Sequence, residues 1–218
     1  MNKLWIAASL GLALVLAGCA TQPTPNVGDL PGFFSGIWNG FSAPFALIQG
    51  VPQDYKEDAR LYGLAAAQGD ASAQINLGVM YLNGQGVAQD YKEAARLWGL
   101  AAAQGNAYAQ SNLGVMYLNG QGVAQDYKEA VRLYGLAAAQ GNADAQYNLG
   151  FMYDNGQGVA QDYVRAHMWY NLGAISGEKD NKAPANRDSI AAKMTPAQIA
   201  EAQAMARKCQ ASDFKQCD

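Results

Sequence analysis

The chain of 218 residues is half apolar, which is enough to bury a sizeable hydrophobic core and excludes disorder along its whole length. Its 15 basic and 18 acidic residues give a formal net charge of -3 at pH 7, so no basic field exists to attract the phosphates of a nucleic acid. The composition therefore predicts a globular protein of one or two domains with no nucleic-acid partner.

Residues 1–18 have the pattern of a secretory leader, with a positive charge at Lys3 followed by an apolar run too short to span a membrane. The sequence Leu-Ala-Gly-Cys that ends at Cys19 resembles the lipobox of bacterial lipoproteins. The resemblance implies that Cys19 becomes the acylated first residue, which anchors the protein to the membrane; an ordinary leader with a chance cysteine is the alternative. In that family Ala20, where a retention signal would have Asp, implies the periplasmic side of the outer membrane.

Two segments separate the leader from the rest of the chain. Residues 19–32 are rich in proline and predict a short extended tether. Residues 33–50 carry no charge and several aromatic side chains, and they admit two interpretations, an interfacial segment beside the lipid anchor or an N-terminal cap. A shift of 36 residues places Phe41 on Leu77, which favours a degenerate half repeat that caps the stack described next.

Residues 51–176 are built from a tandem repeat of 36 residues. The unit Tyr91–Asp126 matches the unit before it at 31 of 36 positions and the unit after it at 30. Each unit contains two amphipathic helical patterns separated by glycine, and such a pair cannot bury its own apolar face. Stacking of the units would form the core, so the sequence predicts an all-α solenoid.

Capping signals set the helix ends within one unit. Asp126 is expected to cap a first helix that ends near Gln140, and Glu129 would complete a capping box. Asn142 would cap a second helix that ends near Asp154, before a left-handed Gly-Gln-Gly turn. We expect glycine and alanine at the helix contacts to allow close approach, while aromatic side chains fill the remaining volume.

The segment Ala145–Val159, AQYNLGFMYDNGQGV, with the later Ala-Ala-Ala-Gln-Gly, resembles the Sel1-like repeat, and the match extends over residues 55–177. The resemblance implies paired antiparallel helices in a right-handed superhelix that binds other proteins. One departure is a Gly-Leu pair where the family usually has a basic residue before two alanines. These pairs are Gly63-Leu64, Gly99-Leu100 and Gly135-Leu136.

The three leucines of these pairs are expected to project outward from the first helices, because Leu136 shares a helical face with Glu129 and Arg132. An apolar line on a polar surface would be a docking or membrane-facing stripe. Local packing between neighbouring repeats is the alternative.

The positions at which the second helices differ between repeats also share one helical face, since they follow offsets of 0, 3, 7 and 10. A face that varies on an otherwise constant unit is where a specific partner would bind, and we expect it to line the concave side; neutral drift is the alternative. Apart from Ser72, the residues of this predicted partner face are Ile75, Val79, Leu82, Tyr108, Ser111, Val115, Leu118, Asp144, Tyr147, Phe151 and Asp154.

The fourth unit begins normally at Tyr163 and then diverges, and residues 177–218 are expected to form C-terminal capping helices with a disulfide tail. The sequence predicts one helix over residues 184–194 and another over 196–208, the latter opened by a Thr-Pro capping signal. With Cys19 acylated, Cys209 and Cys217 remain as an even pair in an oxidising compartment, so we expect a disulfide between them.

Motifs for catalysis and for cofactors are weak in this sequence. Residues 176–179 fit S-x-x-K, but no S-D-N or K-T-G follows, and His167 is the only histidine, so neither a metal nor another cofactor is predicted. The predicted function is therefore a lipid-anchored periplasmic scaffold that binds a protein or peptide on its concave face. The alternative is a cell-envelope protein that binds or hydrolyses peptidoglycan or a β-lactam, as assigned to some cysteine-rich Sel1-like proteins.

Overall fold

The computed structural model describes residues 55–176 and 182–217. Within these ranges the chain forms helices and no strand, and no helix is long and apolar enough to cross a membrane. The predicted leader, the lipidation site Cys19, the tether and the segment 33–50 lie outside the described residues. The helices are α1 (Tyr55–Ala67), α2 (Ala71–Asn83), α3 (Tyr91–Ala103), α4 (Ala107–Asn119), α5 (Tyr127–Ala138), α6 (Ala143–Asn155), α7 (Tyr163–Ser176), α8 (Ala183–Ala191) and α9 (Pro196–Ala211).

The helices form the predicted tandem hairpins. Helices α1 and α2, α3 and α4, and α5 and α6 are the first and second helices of three repeats, and α7 is the first helix of a fourth. Each second helix packs against its own first helix and more extensively against the first helix of the following repeat. Helices α8 and α9 both pack against α7. The all-α solenoid predicted from the sequence is confirmed.

The N-terminal caps agree with the sequence, but the predicted capping box does not form. Asp126 accepts hydrogen bonds from the backbone N–H groups of Lys128 (2.9 Å) and Glu129 (3.1 Å). The Glu129 carboxylate instead binds Arg132 at 2.6 and 2.8 Å. The Glu129 carboxylate is not required as an acceptor for the Asp126 N–H, because this N–H already donates to the carbonyl of Tyr117 in the preceding helix (3.0 Å).

The Gly-Gln-Gly turn closes each unit onto its own first helix. Gly156 caps α6 in the left-handed conformation, with φ of 64°, and its N–H donates to the carbonyl of Met152. Gly158 is also left-handed, with φ of 73°, and a Cβ on it would overlap the carbonyl of Tyr127 at the start of the same repeat. Both positions therefore require glycine, one for its backbone angle and the other also for space.

The joint between neighbouring repeats is a glycine of one second helix under an aromatic ring of the next first helix. A Cβ on Gly78 would lie 2.5 Å from Nε1 of Trp98, and the indole N–H donates to the carbonyl of Ile75 (3.2 Å). The ring is buried in each case, so the predicted packing of small residues against aromatic ones is confirmed. The pairs are Gly78 with Trp98, Gly114 with Tyr134, and Gly150 with Tyr170.

Buried glutamines add a polar link across the same joints. The side-chain amide of Gln74 donates to the carbonyl of Ala66 (3.3 Å), and its oxygen accepts from Gln104 of the next repeat (2.9 Å). Gln110 and Gln140 repeat the second bond at 2.8 Å. These bonds satisfy both ends of a buried amide, which would otherwise destabilise the interior.

The glutamine series ends at the fourth repeat. Gln146 donates to the carbonyl of Ala138 (3.3 Å), but its side-chain oxygen has no hydrogen-bond partner in the part of the chain that the structure describes. The sequence explains the difference, because Ser176 stands at the position that Gln140 occupies one repeat earlier.

Candidate partner-binding surface

The predicted partner face is only partly accessible. Of its eleven residues, four are buried, namely Val79, Leu82, Ser111 and Val115. The expectation that the whole face is open to a partner is therefore wrong for these four. They lie on α2 and α4, each of which packs between two first helices, its own and that of the following repeat, so one edge of the predicted face turns into the joint.

Sequence variation alone could not separate the two edges of this face. Val115 lies in a buried cluster with Ala130 and Tyr134 of the next first helix. At the preceding joint the aromatic residue is Trp98 and not tyrosine. A change in the volume of one partner permits changes around it, so positions can vary between repeats because of packing as well as because of binding.

The accessible part of the face lies on the first two repeats and the start of the third. Ile75, Tyr108 and Leu118 are half-buried, and Asp144 at the first turn of α6 is exposed. Burial raises the pKa of the Tyr108 hydroxyl, a hydrogen bond with Asn112 lowers it, and the nearby Asp144 carboxylate raises it. Tyr108 thus presents a partly covered ring and a neutral hydroxyl near a carboxylate, which suits a mixed apolar and polar contact.

On the third repeat the chain covers its own partner face with α8. The Asn186 side-chain amide of α8 donates to the hydroxyls of Tyr147 (3.3 Å) and Tyr170 (3.4 Å). Phe151 packs with Tyr147 against a buried cluster that includes Ala183 of α8. This edge of the predicted face is therefore occupied within the chain, and no sequence signal indicated it because α8 diverges from the repeat pattern.

His167 is buried on α7, with 3% of its surface exposed, and its Nδ1 has no hydrogen-bond partner within the described ranges. Burial lowers the pKa of the imidazole, Arg187 lowers it further, and Asp188 acts in the opposite direction. Residues 55–176 and 182–217 contain no group of His, Cys, Asp or Glu side chains that could hold a metal ion. The position fits a structural side chain.

The three Gly-Leu pairs lie at the surface, as the sequence predicted. Leu64, Leu100 and Leu136 are 54%, 42% and 43% exposed. A Cβ on any of the preceding glycines would meet nothing within 4 Å. Outward projection of the leucines is confirmed.

The tail brings Cys209 and Cys217 together, with their Cα atoms 4.4 Å apart. Cys209 is fully buried at the end of α9, and Ala206 lies in the same cluster. The structure is thus compatible with the predicted disulfide. Of the residues that match S-x-x-K, Ser176 ends α7 and the other three lie outside the described ranges.

A protein-family model for the Sel1 repeat matches four consecutive segments that together cover more than half of the chain. The chain belongs to the Sel1 repeat family. The matched segments are residues 47–70, 71–106, 107–142 and 143–178. Three of these Sel1 segments begin at or next to the first residue of a second helix, so each pairs a second helix with the following first helix and encloses one glycine–aromatic joint.

Solved Sel1 structures share this fold. A protective antigen of uropathogenic Escherichia coli that displays an SLR fold superimposes with a TM-score of 0.70 at 31% identity, over 78% of this chain and 37% of that one. A Sel1 repeat protein from Oxalobacter formigenes gives a TM-score of 0.54 at 40% identity, over 61% of this chain and 98% of that one. The chain therefore spans little more than a third of the Escherichia coli antigen. A search of curated proteins found no match.

Proposed function

We propose that this Sel1 repeat protein is a lipid-anchored scaffold of the periplasm that holds a protein or peptide on the accessible part of its second-helix face. The family supplies the general property, since Sel1 repeats are protein-binding scaffolds. The observation that carries the proposal is the third repeat, where the same face binds a helix through Tyr147 and Phe151. On the first two repeats Ile75 and Tyr108 offer that face without such a cover among the described residues.

The partner-binding part of the proposal is tested by site-specific photocrosslinking in cells. A photoreactive phenylalanine analogue at Ile75 and at Tyr108 should give the same crosslinked protein, identified by mass spectrometry. The matched control is the exposed Gln203 on α9, which should not give that product. Equal crosslinking from all three positions, or none from Ile75 and Tyr108, would contradict a partner at this face.

The lipid anchor is a separate part of the proposal, supported by the lipobox residues that end at Cys19. Each buried methylene of an acyl chain contributes about 0.8 kcal/mol to membrane binding, so two or three acyl chains hold a protein stably on a bilayer. We expect the protein to fractionate with the outer membrane and Cys19→Ala to release it from there. Recovery of both forms in the same fraction would show that the anchor is not at Cys19.

We also propose that the protein acts without catalysis, since residues 176–179 and 212–215 match only the S-x-x-K part of a β-lactamase-type motif set, and the partner motifs S-D-N and K-T-G are absent from the sequence. The purified chain should not hydrolyse nitrocefin above the level of its Ser176→Ala variant. Hydrolysis that depends on Ser176 would replace the scaffold proposal by the enzymatic alternative.

A further inference from the structure

We propose a second docking surface on the first helices of the repeats. This surface, the leucine face, consists of the Gly-Leu pairs at residues 63–64, 99–100 and 135–136. Its occupant is an amphipathic helix of another protein, with small apolar residues on its buried side and carboxylates beside them. This face belongs to the first helices and does not depend on the proposed partner site around Tyr108.

The leucines themselves are among the most exposed large apolar side chains of the described residues. Leu100 and Leu136 are more than two-fifths exposed, and each occupies the same place on its own first helix. A single exposed leucine is ordinary, but the same exposed leucine at a spacing of 36 residues forms a surface that extends along the stack.

The glycines beside the leucines lower the stability of their helices, and the contacts of the fold do not explain them. Gly99 and Gly135 lie inside helices, where glycine is less stable than alanine by about 1 kcal/mol. Gly114, on a second helix, is explained by the ring of Tyr134, but a Cβ on Gly99 or Gly135 would meet nothing within 4 Å. A glycine with open space above it leaves room for the backbone of another helix to approach closely.

The fourth repeat shows what this face can bind. One repeat after Arg132 and Leu136 stand Met168 and Leu172, and both are buried, Leu172 with 1% of its surface exposed. They share a buried cluster with Ala206 of α9, and α9 packs directly against α7. The first-helix face that is open on the earlier repeats is thus covered by a helix here.

The buried side of α9 defines the chemistry of the occupant. Its buried residues are small, Ala202, Ala206 and Cys209, at spacings of four and three residues. Small residues on the incoming helix allow the leucine to project between turns and the backbones to come close. An occupant of the open repeats should have the same small-residue side.

The charged residues on the open repeats differ from those of α7. They indicate which side chains should flank the apolar side of the docking helix. One turn before Leu100 lies Arg96, where α7 has Met168, and a turn earlier lies the exposed Lys92. Carboxylates on the incoming helix complement Lys92. A bilayer fits less well, because each arginine is paired with a glutamate on the same face, such as Arg96 with Glu93 at 2.6 Å.

The probe for this surface is a peptide of the chain's own α9, residues 195–211, with Cys209→Ala, Gln203→Glu and Lys208→Glu to place carboxylates at the flanks. The protein is the full chain with Cys19→Ala, so that no acyl chain covers the surface. Fluorescence anisotropy should show saturable binding that weakens in high salt. A peptide with Ala202→Glu and Ala206→Glu should not bind.

Variants of the protein separate this surface from the rest of the molecule. Leu100→Lys combined with Leu136→Lys should weaken binding at least about tenfold, which corresponds to 1.4 kcal/mol, while circular dichroism stays unchanged because both side chains are exposed. Gly99→Ala combined with Gly135→Ala should raise the melting temperature and still weaken binding. Tyr108→Ala should leave peptide binding unchanged, which keeps this result independent of the proposed partner site.

The proposal is overturned if the peptide does not bind, or if it binds equally to the double-lysine variant. It is also overturned if phosphatidylglycerol vesicles bind through the two leucines and the peptide does not, since the face would then be a membrane surface.

Discussion

Glycine occurs on both helices of a repeat for different physical reasons, and Gly114 and Gly135 are the clearest pair. A Cβ on Gly114 would lie 2.8 Å from the ring of Tyr134, which is fully buried and cannot move away. The Cβ position of Gly135 is open. Both glycines lie in helix interiors, so helix propensity favours alanine at each, and packing alone sets them apart.

We therefore predict opposite effects for the same substitution. Gly114→Ala should lower the free energy of unfolding by about 1–3 kcal/mol, the usual range for overpacking. Gly135→Ala should raise it by up to about 1 kcal/mol through helix propensity. Urea denaturation of the two variants measures both changes, and a stabilised Gly114→Ala would show that the joint is looser than the geometry implies.

His167 makes the free energy of unfolding depend on pH just below 6.5, the range in which histidine ordinarily titrates. It is the only histidine, and burial together with Arg187 lowers its pKa below the ordinary value of 6.5. Between the folded and unfolded pKa values the unfolded chain binds more protons, so stability is complete above about pH 6.5 and decreases as the pH falls below it.

The prediction concerns the slope of stability between pH 6.5 and 5. The wild-type protein should lose free energy of unfolding over this range, whereas His167→Gln should be flat until the carboxylates begin to titrate. Denaturation midpoints at several pH values compare the two proteins. Parallel curves would mean that the imidazole is not perturbed by its burial.

At the scale of the elements, the sequence predicted most helices and caps because their signals are local. Asp126, Asn142 and the Gly-Gln-Gly turn lie next to the backbone groups that they satisfy. The capping-box role of Glu129 was wrong because the Glu129 carboxylate binds Arg132 and the Asp126 N–H donates to the carbonyl of Tyr117 in the folded chain. The first of these is local, but the second comes from the preceding helix.

The candidate site was harder to predict because its accessibility depends on how the helices pack against one another. Nothing in residues 184–194 shows that Asn186 lies between the hydroxyls of Tyr147 and Tyr170. The repeat pattern also could not reveal that Val79 is buried. The position of a residue along a helix gives the direction of its side chain but does not say which helix packs against it. The exposed Leu100 was predictable, because its helical face also carries Glu93 and Arg96.

The tail after α9 should stabilise the end of the stack through its disulfide. Closing a loop of this small size contributes about 2 kcal/mol, mainly by restricting the unfolded chain. Cys217→Ser should therefore lower the free energy of unfolding by about that amount under oxidising conditions, as measured by denaturant titration. Reduced wild-type protein should match the variant; if reductant leaves the wild-type stability unchanged, the bond does not form.

At the scale of the whole molecule, the described repeats form a series of similar joints, so the length of the repeat region should be adjustable in steps of 36 residues. Deletion of Tyr91–Asp126 joins Asp90 to Tyr127 and places Tyr134 over Gly78, where Trp98 lies in the intact chain. The shortened protein should fold with similar helix content per residue. Its free energy of unfolding and its denaturant slope should both fall, because one repeat and one interface are lost.

A deletion of 30 residues, 97–126, is the control for this experiment. It removes less of the chain but destroys the alignment of glycine with aromatic ring, so it should not give a cooperative thermal transition. Cooperative folding of the control, or unfolding of the 36-residue deletion, would mean that the joints are not equivalent.

The same equivalence of the joints has a consequence at high concentration. Gly78, Gly114 and Gly150 each receive an aromatic ring, from tryptophan at the first joint and tyrosine at the other two, and the segments around them are almost identical in sequence. During refolding, a second helix can accept the first helix of a neighbouring molecule as readily as its own successor, which is the condition for domain swapping. The divergent helices α8 and α9 pack against α7, so they distinguish the fourth repeat from the repeats before it during assembly.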